Sequence, residues 1–375
     1  GSGVAANTQL ISTNTTDDSI VVKGVSNQNL GAGGIWGGNN ATINTAGGLQ
    51  ILTNRLNSGT KAVLSVAGKF LLTSPGSSFE WPTTLDSNFT WSANPTSFTV
   101  GNSGNGSAAA QNTGAITINA MPASVGGPIS IYGGDVNVNA SMVSTAAGSP
   151  ILVKARGSIV TGDGTSAAPR KFQTVSAPIT LWSDAAAAGV GRIYTGIFNS
   201  FLSNGGRITL AGGLDDGGAA AGITSAAAVA SDGFPDGYAR GALSGTALGA
   251  NTGVFIGSRN VFTANGANIF IAGQGSQSGT ATQVESGVFI KSSSIDSGVG
   301  IVGIFGKATS TTVANSRAVE FDTSDAVNSG LNSVISAATT ADAVTIIGDS
   351  AAASANFASG VVSQYPVTPA GTAAG

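Results

Sequence analysis

Apolar and polar side chains alternate along this chain over only a few residues at a time, and glycine or asparagine closes each run. The clearest case is Gly-Gly-Pro-Ile-Ser-Ile-Tyr-Gly-Gly at 126–134, answered by Gly-Gly-Arg-Ile-Thr-Leu-Ala-Gly-Gly at 205–213. Residues i and i+2 of an extended chain point to the same side, so Ile129 with Ile131, and Ile208 with Leu210, each give a very short strand one buried face. The pattern recurs at Val136-Asn137-Val138, Ile151-Leu152-Val153, Ile179-Thr180-Leu181, Val254-Phe255-Ile256, Ile269-Phe270-Ile271 and Val288-Phe289-Ile290. Upstream it is present at Ile20-Val21-Val22, Ile35-Trp36, Leu49-Gln50-Ile51-Leu52, Val63-Leu64-Ser65-Val66 and Phe70-Leu71-Leu72. Gly37-Gly38-Asn39-Asn40 and Gly47-Gly48 read as corners, because glycine and asparagine tolerate left-handed backbone.

The spacing of these strands predicts how they assemble. Ile129, Ile151, Ile179 and Ile208 are 22, 28 and 29 residues apart. That is too long for a hairpin and suits a coil of three short strands with variable corners. Stacked coils make an all-β chain, a parallel β-solenoid, over 1–365, followed by a linker-like tail at 366–375. At roughly 20 to 30 residues per coil and about 4.8 Å per level, the body would be a rod on the order of 60 to 80 Å long. An antiparallel sandwich would need longer strands and tight two-residue hairpins, which are scarce here. The coil model places Ile129, Ile131, Ile151, Val153, Ile179, Leu181, Ile208, Leu210, Ile269 and Ile271 inside, in aliphatic ladders. Insertions fall at the corners, at 185–188, 215–221, 226–230 and 233–241. No amphipathic cap is legible in 1–25 or 351–375, so at least one end is expected to be covered by more of the same chain or by a neighbouring subunit stacked end to end.

One stretch departs from the small aliphatics. Residues 79–98 carry Phe79, Trp81, Phe89, Trp91 and Phe98 with Pro82 and Pro95. They read as an excursion leaving the main stack, either a cover or an aromatic platform for sugar rings or a partner protein. Trp81, Phe89, Trp91 and Phe98, with Phe234 and Tyr238 of the 233–241 corner, are the candidate ligand contacts. A carbohydrate-binding module acting through them is the alternative to a purely structural role.

Composition narrows the chemistry. The 375 residues include 56 Gly and only 9% charged residues, with 41% hydrophobic and a formal net charge of −3. Nucleic acid is an unsuited partner, since phosphate binding needs a concentrated cationic excess. Lys154, Arg156, Arg170, Lys171, Arg192 and Arg207 thicken locally but are interleaved with Asp135, Asp163 and Asp184. They read as a solvated face, with an anionic glycan as the sharper alternative. There is no Cys and no His, which removes disulfides, thiol chemistry and the commonest metal ligand and general base. The carboxylate pairs Asp215 with Asp216 and Asp322 with Asp325 are the enzyme candidates. The first sits in Leu-Asp-Asp-Gly-Gly, which is turn chemistry, so no catalysis, cofactor or metal is expected. No apolar run is long enough to span a bilayer. The opening Gly1-Ser2-Gly3 suggests a processed product or a segment of a longer chain.

The strings at 126–140, 177–184, 204–213 and 267–275 resemble the repeat region of filamentous-haemagglutinin-like exoproteins of the two-partner-secretion type. The likeness runs over 116–350 and more loosely elsewhere. It implies a secreted right-handed β-helix, exported through an outer-membrane partner and displayed at the bacterial surface or in an extracellular matrix as an adhesin or fibre, with matrix or host glycans as possible partners. Asn27-Gln28-Asn29-Leu30 is similar to that family's Asn-Pro-Asn-Leu secretion motif but has Gln28 in place of Pro, so the chain corresponds to a shaft segment rather than to the secretion module.

Overall fold

The structure is a computed structural model, and it describes residues 2–4, 9–24, 35–37, 41–53, 56–57, 62–73, 82–85, 89–103, 114–217, 230–241, 251–276, 285–309, 316–323, 332–340, 342–350 and 359–364. Among them every regular element is a strand, and every strand-to-strand pairing is parallel. Three isolated bridges add one parallel and two antiparallel contacts.

The strands fall into three sets that the chain visits in fixed rotation. From Ile129–Gly133 it passes to Val136–Val138, then to Met142–Ala147, and returns at Ile151–Ala155 beside its starting point. Sheet 1 collects the first member of each round. It is twelve-stranded, with eleven strands in unbroken succession from Ile20–Gly24 to Val344–Ser350 and Ala239–Arg240 beside the path. Sheet 2 collects nine, from Thr83–Leu85 to Ser359–Gln364, and sheet 3 collects six, from Met142–Ala147 to Ser333–Ile335. Two shorter sheets of three and four strands hold the corresponding elements near the N-terminus.

Register explains why the glycine-bounded runs align. Ile129 lies beside Ile151, Ile151 beside Ile179, Ile179 beside Ile208, and Ile208 beside Ile269. All ten aliphatics expected inside are fully buried, at 0% exposure. A one-residue slip would turn each of these side chains out, so the buried face itself sets the register. Sheet 2 answers with Ile116, Val136, Ile159, Ile193, Val254 and Val288, and the interior is one continuous apolar cluster. Sheet 3 contributes something different. Phe172, Phe201 and Phe262 stack with ring centroids 4.6 and 4.5 Å apart.

Two expectations are corrected. The 79–98 stretch does not leave the stack over its described residues. Thr83–Leu85 pairs with Ile116–Ile118, Phe89–Trp91 with the strand Ala62–Val66, and Ser97–Val100 lies between Lys69–Thr73 and Ile129–Gly133. The stretch is one more turn of the same path, and its large rings are admitted because Phe70 and Trp91 pack around Phe98 at 4.9 and 5.7 Å. The body is also shorter than expected. Eleven levels at about 4.8 Å give a ladder of about 48 Å, because a few rounds far exceed 20 to 30 residues. The round from Ile208 to Ile269 alone spans 61 residues, since it carries the insertion after Gly212. Within 366–375, 38–40, 218–229 and 27–30 the expected tail, corner, alanine-rich segments and secretion-like motif lie outside the described residues.

Candidate functional site

The aromatic candidates are mostly structural. Phe98 is fully buried, and Phe89 and Trp91 are half-buried against the core, so the platform expected for sugar rings is not presented by these three. Trp81 lies outside the described residues. Tyr238 is also buried, packed with Ala211, Phe270, Ala272 and Phe305 on the outer side of sheet 1. That burial, with a smaller contribution from the Asp349 charge, pushes its hydroxyl up to about 12. The unfolded chain loses this proton nearer pH 10, so the folded state holds the extra proton in between, and stability falls as pH rises through that window. Tyr238→Phe is therefore expected to flatten the loss of stability between about pH 10 and 12, measured by urea unfolding at stepped alkaline pH.

The basic residues do not make one face. Lys154 belongs to sheet 1, Arg170 and Lys171 to sheet 3, and Arg192 immediately precedes a strand of sheet 2. Most are committed locally. Lys154 lies 3.5 Å over the Trp182 ring, Arg192 lies 5.6 Å from the Tyr194 ring, and Arg170 Nη2 donates to the Asp163 carbonyl at 2.6 Å. They remain partly solvated without sharing one face, because rotation of the chain through three sheets distributes neighbours in sequence to different sides.

The most concentrated polar chemistry sits where the insertion after Gly212 folds back on the outer side of sheet 1. Trp182 Nε1 donates to the Gly213 carbonyl at 2.7 Å, and Arg207 is held between the rings of Phe234, at 4.0 Å, and Phe270, at 4.7 Å. Half-buried Phe234 is thus a clamp on Arg207. Around this anchor the carboxylates of Asp215, Asp232 and Asp236 each place an oxygen within 4.8 Å of the others. Asp215 accepts from the Asp232 and Gly233 N–H groups at 3.1 and 2.8 Å, which ties the two arms of the insertion together. Asp232 accepts from the Phe234 N–H at 2.9 Å and from Arg207 Nη1 at 3.2 Å. Asp236 accepts from the Gly217 N–H through Oδ2 at 2.7 Å, while its Oδ1 is buried without a partner. Burial, and then the charges of Asp215 and Asp232, hold the Asp236 carboxyl above its usual range against the Gly217 bond. Sequence reading found Asp215 and assigned it to a turn, which its two backbone bonds bear out. It missed Asp232 and Asp236, whose only signal was the repeated Asp-Gly of 232–237.

Of the second carboxylate pair, Asp322 is buried in the strand Ser316–Asp322 and Asp325 lies outside the described residues. Nearby, Glu320 is 2% exposed, accepts from Ser286 Oγ at 2.9 Å and pairs with Arg317. These contacts make it a buried structural pair on the outer side of sheet 2.

Compared with models of protein families, with curated proteins and with solved structures, the chain matches none.

Proposed function

We propose that the chain is a segment of a closed, right-handed parallel β-solenoid that serves as the structural and adhesive shaft of a secreted bacterial surface protein or extracellular fibre, with no chemistry of its own. The observation that carries the reading is at the last level of the ladders. Val344 lies beside Val302, and Val361 beside Val319. Val302 and Val319 are 0% exposed, whereas Val344 and Val361, in the same inward register, are 39% and 49% exposed. Among the described residues, the core positions run on to a level that no further strand covers. At the opposite end Ile20 and Val22 are only half-buried beside buried Leu49 and Ile51.

Open edges of parallel sheets, with unpaired N–H and C=O groups and uncovered aliphatics, are completed by another strand. The occupant that fits this edge is a further coil of the same kind, supplied by a neighbouring copy stacked end to end. The right hand follows the strong preference of parallel crossovers. The secreted setting rests on the likeness of the 126–140 and 204–213 strings to filamentous-haemagglutinin-like repeats.

Sedimentation velocity over a wide concentration range tests this. The parent chain should grow in mass with concentration. A Val344→Lys, Val361→Lys double variant should stay monomeric where the parent associates, because a charge at each open core position must be desolvated to stack. A parent chain that remains monomeric throughout would remove the reading.

A further inference from the structure

We propose that Asp215, Asp232 and Asp236 form a calcium site on the outer side of sheet 1. Ca²⁺ binds oxygen ligands at 2.3–2.6 Å, so two oxygens on one ion stand at most about 4.6 to 5.2 Å apart. Three carboxylate oxygens all within 4.8 Å of one another meet that condition about a common centre. The donor set is oxygen only, in a chain without His or Cys, which suits a hard cation and not a thiolate- or imidazole-seeking metal.

A cluster of acids is common on protein surfaces without any ion, and the second observation is what separates this one. Asp236 is 1% exposed, and its Oδ1 has no hydrogen-bond partner. A buried carboxylate oxygen in a group of three carboxylates is costly to leave unpaired. The neighbouring donors are already committed: the Gly217 N–H to Oδ2 of Asp236, with the Asp216 N–H also acting on that carboxylate, the Asp232 and Gly233 N–H groups to Asp215, and the Phe234 N–H to Asp232. Arg207 neutralises one carboxylate through Asp232, and its position between Phe234 and Phe270 keeps it there. Lys154 acts on Asp215 from beneath, over Trp182. Two cations against three carboxylates leave the cluster negative. A proton, a water molecule or a metal cation supplies the missing partner of Asp236, and of these the cation is the one that draws the Asp215 and Asp232 carboxylates to the same centre. The arms at 213–217 and 230–237 are clamped to each other and to Trp182 before any ion arrives, so binding orders little further chain. With three carboxylates of which one is spent on Arg207, the affinity should resemble that of extracellular calcium modules, about 10⁻⁴ to 10⁻³ M.

The test is a Ca²⁺ titration of the chelator-treated 375-residue chain by calorimetry, alongside Tb³⁺ luminescence excited through tryptophan. We expect one ion per chain, and Tb³⁺ emission displaced by Ca²⁺. Trp182 bonds Gly213, two residues before Asp215, so it is the tryptophan placed to excite bound Tb³⁺, and Trp182→Phe should dim the emission. Asp236→Asn should weaken Ca²⁺ about tenfold or more. If that variant fails to fold, Asp232→Asn, at an exposed position, should do the same. Absence of Ca²⁺ binding by the parent chain overturns the site, as does binding that both variants leave unchanged. A parent melting temperature indifferent to Ca²⁺ but raised by Asp236→Asn assigns the missing partner to a proton and overturns the proposal as well. None of these readouts depends on whether the chain stacks end to end.

Discussion

Phe201→Ala is expected to lower the unfolding free energy by about 3 to 5 kcal/mol, the range for removing a buried aromatic ring. Phe201 is fully buried between Phe172 and Phe262, with interplanar angles of 10° and 2°. Its loss therefore strips one face from each neighbour as well as removing its own contacts. In a stack whose stability is a sum of nearest-neighbour interfaces, the damage falls in the middle of sheet 3. Phe201→Leu keeps much of the volume and should cost clearly less. Urea denaturation followed by circular dichroism measures both. A loss under about 1 kcal/mol for the alanine variant would mean that the ring is not a core element.

Gly306→Val should be comparably severe for the opposite reason. Gly273, Gly306 and Gly348 lie side by side in sheet 1, where that sheet turns into sheet 2. A Cβ at Gly306 would stand 1.9 Å from the Ala318 carbonyl oxygen and 2.4 Å from its carbon. Both are backbone atoms of the adjoining strand of sheet 2, so no side-chain rotation relieves the clash. The two sheets would have to separate, with an expected cost of about 3 kcal/mol or more. Gly126→Ala is the control. Its Cβ would meet only ordinary contacts at 3.6 Å, and little change in the denaturation midpoint is expected.

Glycine therefore has two physical roles in this chain, one at the turns that close each run and one at this close approach of two backbones. Sequence alternation was enough to place Ile129, Ile151, Ile179 and Ile208 in one ladder, because glycine-closed runs leave a strand of three to five residues only one possible buried face. The sheet 3 core was not legible. Phe172, Phe201 and Phe262 each stand as the one large inward residue of a polar strand, in Arg-Lys-Phe-Gln-Thr, Asn-Ser-Phe-Leu and Val-Phe-Thr, so there is no alternation to read. The density of rings at 79–98 suggested a surface because large side chains are rare in this interior. Packing of Trp91 and Phe98 against Phe70 of the preceding level gives them room inside instead. The carboxylate cluster escaped notice because Asp215 and Asp236 are 21 positions apart in the chain and meet only when the insertion folds back on Trp182.

The central claim is that these three ladders form one closed coil that continues from copy to copy. Electron cryo-microscopy of the concentrated chain measures it most directly. The account predicts rods of varying length, with parallel strands perpendicular to the rod axis, an axial repeat of about 4.8 Å, a right-handed path, and Val344 and Val361 covered at each junction between copies. Single particles of one length with these valines still open, or a left-handed or unclosed path, would contradict it.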